Sequence, residues 1–207
     1  MSSTRLFFFF WKGILMNLKL YTIDSKYIDY LRQQPNFQNI FDNKESAAFP
    51  KKYIGIVLTV NEYNYYVPLS SPKNSDYLIS NGEKTIRKSI IPIIRITSKN
   101  KNGILELKGT LKFSNMIPVP VQAISYYDIN KEPNRNYKIL VEKEYEFIRK
   151  NQKLISRHAS ILYNQKTKED VLFATSRKKP GYLDHVIDFK YAEKLYDEYI
   201  SKELFTL

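Results

Sequence analysis

Apolar and polar residues alternate from Leu18 to Ile23 in the period-two pattern of a half-buried strand, and Asp24 or Ser25 can cap a short helix that runs through Leu31 and is ended by Pro35. Residues Asn36–Ala48 form a polar loop. The β-branched run Tyr53–Val60 and the segment Tyr63–Leu69 flank a turn at Asn61-Glu62, so the two read as a hairpin. A long loop, Ser71–Lys88, leads to a strand at Ile90–Thr97, whose Pro92 cannot donate to a ladder and so predicts a sheet edge or a bulge. Beyond the turn Asn100–Gly103, strands are predicted at Ile104–Lys112 and Val119–Tyr127, joined by Phe113–Pro118. From Asn136 to Lys166 the period changes to that of a helix, carried by Ile139, Leu140, Phe147, Ile148, Ile155 and Leu162, with a break near Asn151. After the turn Lys178–Gly181, Tyr191, Leu195, Tyr196 and Tyr199 make one stripe of a last helix over Asp188–Lys202. The class is α+β: a compact, strongly curved, mainly antiparallel sheet or partly open barrel with helices packed on it.

With 207 residues the chain can bury one good core, and no linker divides it. Residues 16–207 are read as a single domain and residues 1–15 as an N-terminal extension. The apolar run Leu6–Trp11 is too short to span a bilayer, is interrupted by Lys12 and Gly13, and precedes no small-residue cleavage site. Met16, directly before the first strand, is a candidate natural start; a weak membrane-surface anchor is the other reading of the extension.

Charge narrows the choice of partner. Thirty-three Lys+Arg against 21 Asp+Glu leave a net charge of +12, so polyanions are the natural class. The 17 Tyr and 12 Phe favour nucleic acid over a membrane, because rings beside lysines can stack on unpaired bases, although most such rings belong to cores and strands. There is no cysteine, which excludes disulfides and thiolate metal sites and suits a cytoplasmic protein.

The chain carries no metal-ligand cluster of convincing spacing and no Gly-rich phosphate loop, so no cofactor is expected. His158 and His185 are isolated, and His158 lies in a Lys-rich helical stretch, which weighs against pairing them as acid and base. What remains is the open end of the hairpin. Lys51, Lys52 and Tyr53 enter the first strand as Ser70, Ser71 and Lys73 leave the second, and antiparallel pairing sets the two segments side by side. Two cations beside two hydroxyls can hold a phosphodiester, orient a ribose 2′-hydroxyl for in-line attack and stabilise the extra charge of the pentacoordinate state. That route requires no metal and leaves a 2′,3′-cyclic phosphate. On residue types alone, a Ser-Ser-Pro-Lys turn with solvated lysines explains the same segment.

Several segments together tip this balance. Lys19–Ile23 followed by Ser25–Leu31, Pro50–Leu58, Tyr66–Lys73, Leu111-Lys112-Phe113 with Met116-Ile117-Pro118, and Tyr137-Lys138 ahead of Phe147–Asn151 resemble, in this order, the ToxN/AbiQ endoribonucleases of type III toxin–antitoxin and phage abortive-infection systems. The resemblance runs from about Leu18 to Ile161. It implies a fold similar to the MazF, Kid and CcdB toxins and RNA cleavage in a groove on the sheet. By position it implies Ser71 as the essential serine, with Ser70, Lys73, Lys51, Tyr53 and Tyr27 as further catalytic residues. It also implies an antitoxin RNA of tandem repeats as partner, cut by the toxin into pseudoknots that fill its groove, with cellular and phage mRNA as substrates. Lys26, Lys52, Lys112, Lys138, Arg149, Lys150, Arg177 and Lys178 are the expected RNA contacts. Two other readings stay open: a non-catalytic RNA-binding module, and a gyrase-directed toxin of the CcdB kind. The residue that takes the 2′-hydroxyl proton also stays open, since neither serine nor an ordinary lysine or tyrosine is a good base near neutral pH.

Overall fold

The computed structural model describes residues 18–38, 40, 52–174 and 178–204. Strand β1 (Lys19–Ile23) leads into helix α1 (Ser25–Arg32), which starts where the Asp24 carboxylate accepts a hydrogen bond from the Lys26 amide at 2.9 Å. Its buried residues Tyr27, Ile28 and Leu31 fall on one face, as the 3.6-residue period requires. The predicted hairpin is present as β2 (Tyr53–Val60) and β3 (Tyr63–Ser70), turning through Asn61 at φ 51°. Leu69 donates its amide to the Lys52 carbonyl at 2.9 Å, so the two ends of the hairpin do lie side by side.

Where a structureless loop is expected after Ser71, the chain makes a 3-10 turn at Asn74–Asp76 and a second, small hairpin, β4 (Tyr77–Ser80) and β5 (Glu83–Ile86). Asn81 and Gly82 at its tip both have positive φ, the conformation that Asn-Gly adopts most readily. Strands β6 (Ile93–Lys99) and β7 (Leu105–Lys112) follow, and β6 is an edge strand beginning just past Pro92. Of the expected strand Val119–Tyr127 only a three-residue β9 (Ile124–Tyr126) is present, and a two-residue β8 (Ile117–Pro118) lies before it, in the segment expected as a link. Pro118 and Pro120 have no N–H to donate there, and a 3-10 turn at Val121–Ala123 separates the two pieces.

The main sheet runs β6-β7-β3-β2-β1-β9, with β8 also pairing with β3, and all its pairings are antiparallel. Among the described residues its path ends at β6 and β9, so it is an open sheet and not a closed barrel. Helices α2 (Arg135–Lys150) and α3 (Gln152–Thr167) break at Asn151, as predicted. After the single turn α4 (Glu169–Leu172), helix α5 (Phe189–Leu204) completes the fold.

Ile54, Val57, Val67, Ile94 and Leu111 of the sheet pack against Val141 and Ile148 of α2, Ile155 and Leu162 of α3, and Phe189 of α5, all with no solvent exposure. Each such side chain contributes roughly 1.5–3 kcal/mol. Two polar devices fix the layers. Tyr65 of β3 and Tyr163 of α3 both donate to Glu193 Oε1 of α5, at 2.8 and 2.7 Å, which ties three elements to one buried carboxylate. Gly55 leaves room for the Tyr66 ring, whose Cε1 would lie 2.0 Å from a Cβ at that position. Among the described residues no helix is long and apolar enough to cross a membrane.

Candidate active site

Ser70 is the last residue of β3 and pairs with Thr110 of β7, whose hydroxyl donates to the Ser70 carbonyl at 3.4 Å. Pro72 takes the chain off the sheet, leaving Ser70 5% exposed but Ser71 and Lys73 open to solvent. The exit loop is tied down. Lys73 donates its amide to Asp76 Oδ2 at 2.9 Å and accepts the Asp76 amide on its own carbonyl at 2.9 Å. The other Asp76 oxygen lies 3.1 Å from Arg95 Nη2, and Arg95 Nη1 donates to the Lys88 carbonyl at 2.7 Å. A buried carboxylate and a buried guanidinium thus hold in place a loop whose outer side presents a hydroxyl and an ammonium group.

Lys112, the last residue of β7, belongs to the same cluster. Strand alternation puts it on the face of Thr110 and away from Leu111. Burial, then the positive charge of Lys73, push the pKa of its amine below that of an ordinary lysine, while Asp76 works the other way. On the opposite face of β7, Gly109 makes room for the buried Glu144 of α2: a Cβ on Gly109 would lie 2.3 Å from Glu144 Oε1 and 3.3 Å from the Ser70 carbonyl.

The remaining expected site residues fare differently. Lys51 and Arg177 lie outside the described residues. Lys52, expected at an open phosphate site, is only 4% exposed; its ammonium sits 4.0 Å from the centre of the Tyr127 ring and 5.7 Å from that of Tyr137, an aromatic box that desolvates it and lowers its pKa. Tyr53 is fully buried, and burial raises the pKa of its hydroxyl. Tyr27 is also a core residue: its hydroxyl donates to the Pro118 carbonyl at 2.7 Å and its ring packs on Tyr199. Pro118 pairs with Tyr65, about 20 Å up β3 from Ser71 at the usual strand rise, so the structure does not bring Tyr27 to the serine.

Lys26 and Lys178 are exposed and far apart in the fold order, at the start of α1 and ahead of α5. Lys138 reaches the Asn130 carbonyl at 3.5 Å. Arg149 and Lys150 line a cleft of about 590 Å³ with Tyr126 and Tyr145, in which Glu146 pairs with Lys150 at 2.6 Å. His158 is occupied structurally, with Nδ1 3.2 Å from the Ile91 carbonyl and the ring against Phe113. Asp76, Arg95, Thr110 and Glu144 were not among the expected residues. Arg95 inside Ile93-Ile94-Arg95-Ile96 and Glu144 on the apolar stripe of α2 are the signals that mark two of them.

Fold and site together define an α+β protein with an exposed serine and lysine on a pinned loop at a strand end. Residues 19–197 match the model of the family described as toxin ToxN of the type III toxin–antitoxin system, and the chain belongs to that family. It is 32% identical to the endoribonuclease ToxN of Pectobacterium atrosepticum over 150 residues, covering 71% of this chain and 80% of that protein. It is 28% identical to the endoribonuclease AbiQ of Lactococcus lactis subsp. lactis, covering 95% and 98%. A solved structure from work on selective toxin inhibition by a non-coding RNA pseudoknot superposes with a TM-score of 0.67 at 25% identity, over 89% of this chain and 98% of that one. A second, from work on a processed non-coding RNA that regulates a bacterial antiviral system, gives 0.63 at 26% identity, over 87% and 98%.

Proposed function

We propose that this protein is a cytoplasmic endoribonuclease toxin that cuts RNA without a metal ion, at the cluster of Ser70, Ser71, Lys73 and Lys112. The observation that carries the reading is the convergence of Ser71 and Lys73 on a loop pinned by Asp76 and Arg95, with a second lysine amine at hand. Lys73 and Lys112 supply the positive charge that a pentacoordinate phosphorus requires, and the serine hydroxyls supply hydrogen bonds to its oxygens. Lys51, at the entry to β2, is part of the proposed site. Tyr53 and Tyr27 act in it only through the core they build. The substrates are cellular and phage mRNA together with the repeat precursor of an antitoxin RNA, whose pseudoknot then blocks the groove and whose release aborts phage infection. Family membership supports these roles, as does the likeness to structures reported with an inhibitory RNA pseudoknot. Kinship with the MazF, Kid and CcdB toxins belongs to the same proposal.

The test is cleavage of single-stranded RNA in EDTA. Wild-type protein should leave fragments with 2′,3′-cyclic phosphate ends, and Ser71→Ala and Lys73→Ala should each abolish them while still binding RNA. Full activity in both variants removes the site, and loss of wild-type cleavage on chelation removes the metal-free route. Retained toxicity without RNA cleavage would favour a gyrase-directed toxin. The lysines and arginines outside the site, Lys26, Lys138, Arg149, Lys150 and Lys178, are proposed phosphate contacts; neutralising each should reduce the salt slope of repeat-RNA binding by about 0.7.

A further inference from the structure

The cleft of about 590 Å³ between β9 and α2 lies apart from the Ser71 loop. Its α2 wall is one face of the helix: Glu142, Tyr145, Glu146 and Arg149 recur at intervals of three and four residues, offset from the buried Val141, Glu144 and Ile148. From β9 comes Tyr126, 61% exposed, whose ring is braced edge-on by that of Tyr21 with centroids 6.2 Å apart. Part of the polar lining is already satisfied. Lys150 pairs with Glu146, and Gln152 accepts the Leu18 amide and donates to the Arg149 carbonyl at 3.1 Å. Asp128 gives one oxygen to the Asn130 amide, which leaves its other oxygen, the Glu142 carboxylate and the Arg149 guanidinium without a side-chain partner among the described residues.

That remainder selects a ligand. Three carboxylates against two cations repel a bare phosphate. An apolar ligand would strip water from the charged groups and return no hydrogen bond. One nucleotide answers all of them, with a flat base for the Tyr126 and Tyr145 rings, N–H donors for the carboxylates and a phosphate for Arg149. A carboxylate only accepts, so the base must bring an exocyclic amine, as guanine, adenine and cytosine do; uracil would turn a carbonyl oxygen toward it.

Strand pairing sets the distance from the cleft to the serine loop. Tyr126 pairs with Tyr21, Tyr21 with Tyr53 and Tyr53 with Pro68, so the four form one row across the sheet. Three strand spacings along that row and the rise from Pro68 to Ser71, taken at right angles, make about 17 Å. At a stacked rise of about 3.4 Å per nucleotide this is about five nucleotides, and fewer where the single strand is stretched. Resting on the ribonuclease reading above, we propose that the β9–α2 cleft is a specificity subsite for the substrate RNA, taking one unpaired nucleotide with an exocyclic amine at about two to five nucleotides from the scissile phosphate. Tyr126 and Tyr145 hold the base, Glu142 and Asp128 accept from its amine, and Arg149 meets its phosphate.

Cutting a single-stranded RNA of random sequence and sequencing the fragment ends reads the base preference at every position around the cut. Wild-type protein should disfavour uridine by about 10- to 100-fold at one position within that window. Glu142→Gln presents an amide that can donate to a uracil carbonyl as well as accept, so it should relax this position and leave the preferences beside the cut as they are. Tyr126→Ala removes the ring on which the base rests and should weaken selection among all four bases there. Both side chains are exposed, so both variants should melt at the wild-type temperature. A window without base preference, or a preference that either variant leaves intact, would overturn the subsite while leaving the ribonuclease reading intact. Absence of cleavage by the wild-type protein would overturn both.

Discussion

Asp76 and Arg95 face each other at 3.1 Å with side chains 9% and 7% exposed, and through this pair an edge strand of the sheet holds the loop that carries Lys73. Removing one partner leaves the other charged and buried. Asp76→Ala is therefore expected to cost about 3–5 kcal/mol in urea unfolding. Arg95→Leu should cost a similar amount, and Asp76→Ala/Arg95→Leu together less than either alone. Cleavage should not recover in the double variant, since the Lys73 amide has lost its acceptor. Recovery of activity along with stability would show that the pair does not position Lys73.

A second prediction concerns Gly55, where the Tyr66 ring occupies the space of a side chain. Gly55→Ala should destabilise the protein by about 1–3 kcal/mol through overpacking inside the sheet. In a Tyr66→Ala background the same substitution should be close to neutral, because the ring that it strikes is gone. Equal costs in the two backgrounds, measured as urea midpoints at constant slope, would mean that the clash is relieved elsewhere.

Some of this architecture is legible in the chain and some is not, for identifiable reasons. The β2–β3 hairpin, α1 and the break at Asn151 all carry a clear period or cap, and the structure has them where the pattern predicts. The β4–β5 hairpin carries the strong Asn81-Gly82 turn signal, but Leu78 and Ile79 are 45% and 78% exposed, so no buried face imposes an alternation to read. Pro118 and Pro120 break the ladder inside a stretch whose apolar content otherwise suits a long strand. In the site, hairpin geometry brings Lys52 to Leu69 as expected, yet nothing local shows that Tyr127 and Tyr137 will arrive to cover it. Tyr27 illustrates a different limit. A role carried over by position does not say where a side chain points, and here it points into the core.

Glu193 accepts hydrogen bonds from two tyrosine hydroxyls, and Lys190 bonds its second oxygen at 2.8 Å. Glu193→Leu takes the carboxylate acceptor from the Tyr163 hydroxyl and leaves Tyr65 only the Phe189 carbonyl at 3.4 Å, at about 1–3 kcal/mol for a buried orphan. Tyr65→Phe or Tyr163→Phe removes only one donor and should cost less. The network lies between β3, α3 and α5, away from the Ser71 loop, so Glu193→Leu should lower the melting temperature while leaving cleavage by the folded protein near wild type at low temperature. A cleavage defect larger than the loss of folded protein would tie α5 to the site.

The last prediction is a pH dependence. Burial among Phe113 and the Ile90–Ile91 backbone pushes the His158 pKa below its ordinary 6.5, against the pull of hydrogen bonds to the Ile91 and Ile90 carbonyls. The sign follows from proton counting. Between the folded pKa and 6.5 the unfolded chain binds more protons than the folded one, so stability is intact above that window and falls as the pH drops through it. His158→Gln retains an N–H that can reach the Ile91 carbonyl and does not titrate. The wild type should therefore lose more unfolding free energy than His158→Gln between about pH 7.5 and about pH 5.5, because only it carries the protonation penalty. Parallel pH profiles for the two proteins would mean that His158 titrates as it does in the unfolded chain, and that its contact with Phe113 does not desolvate it.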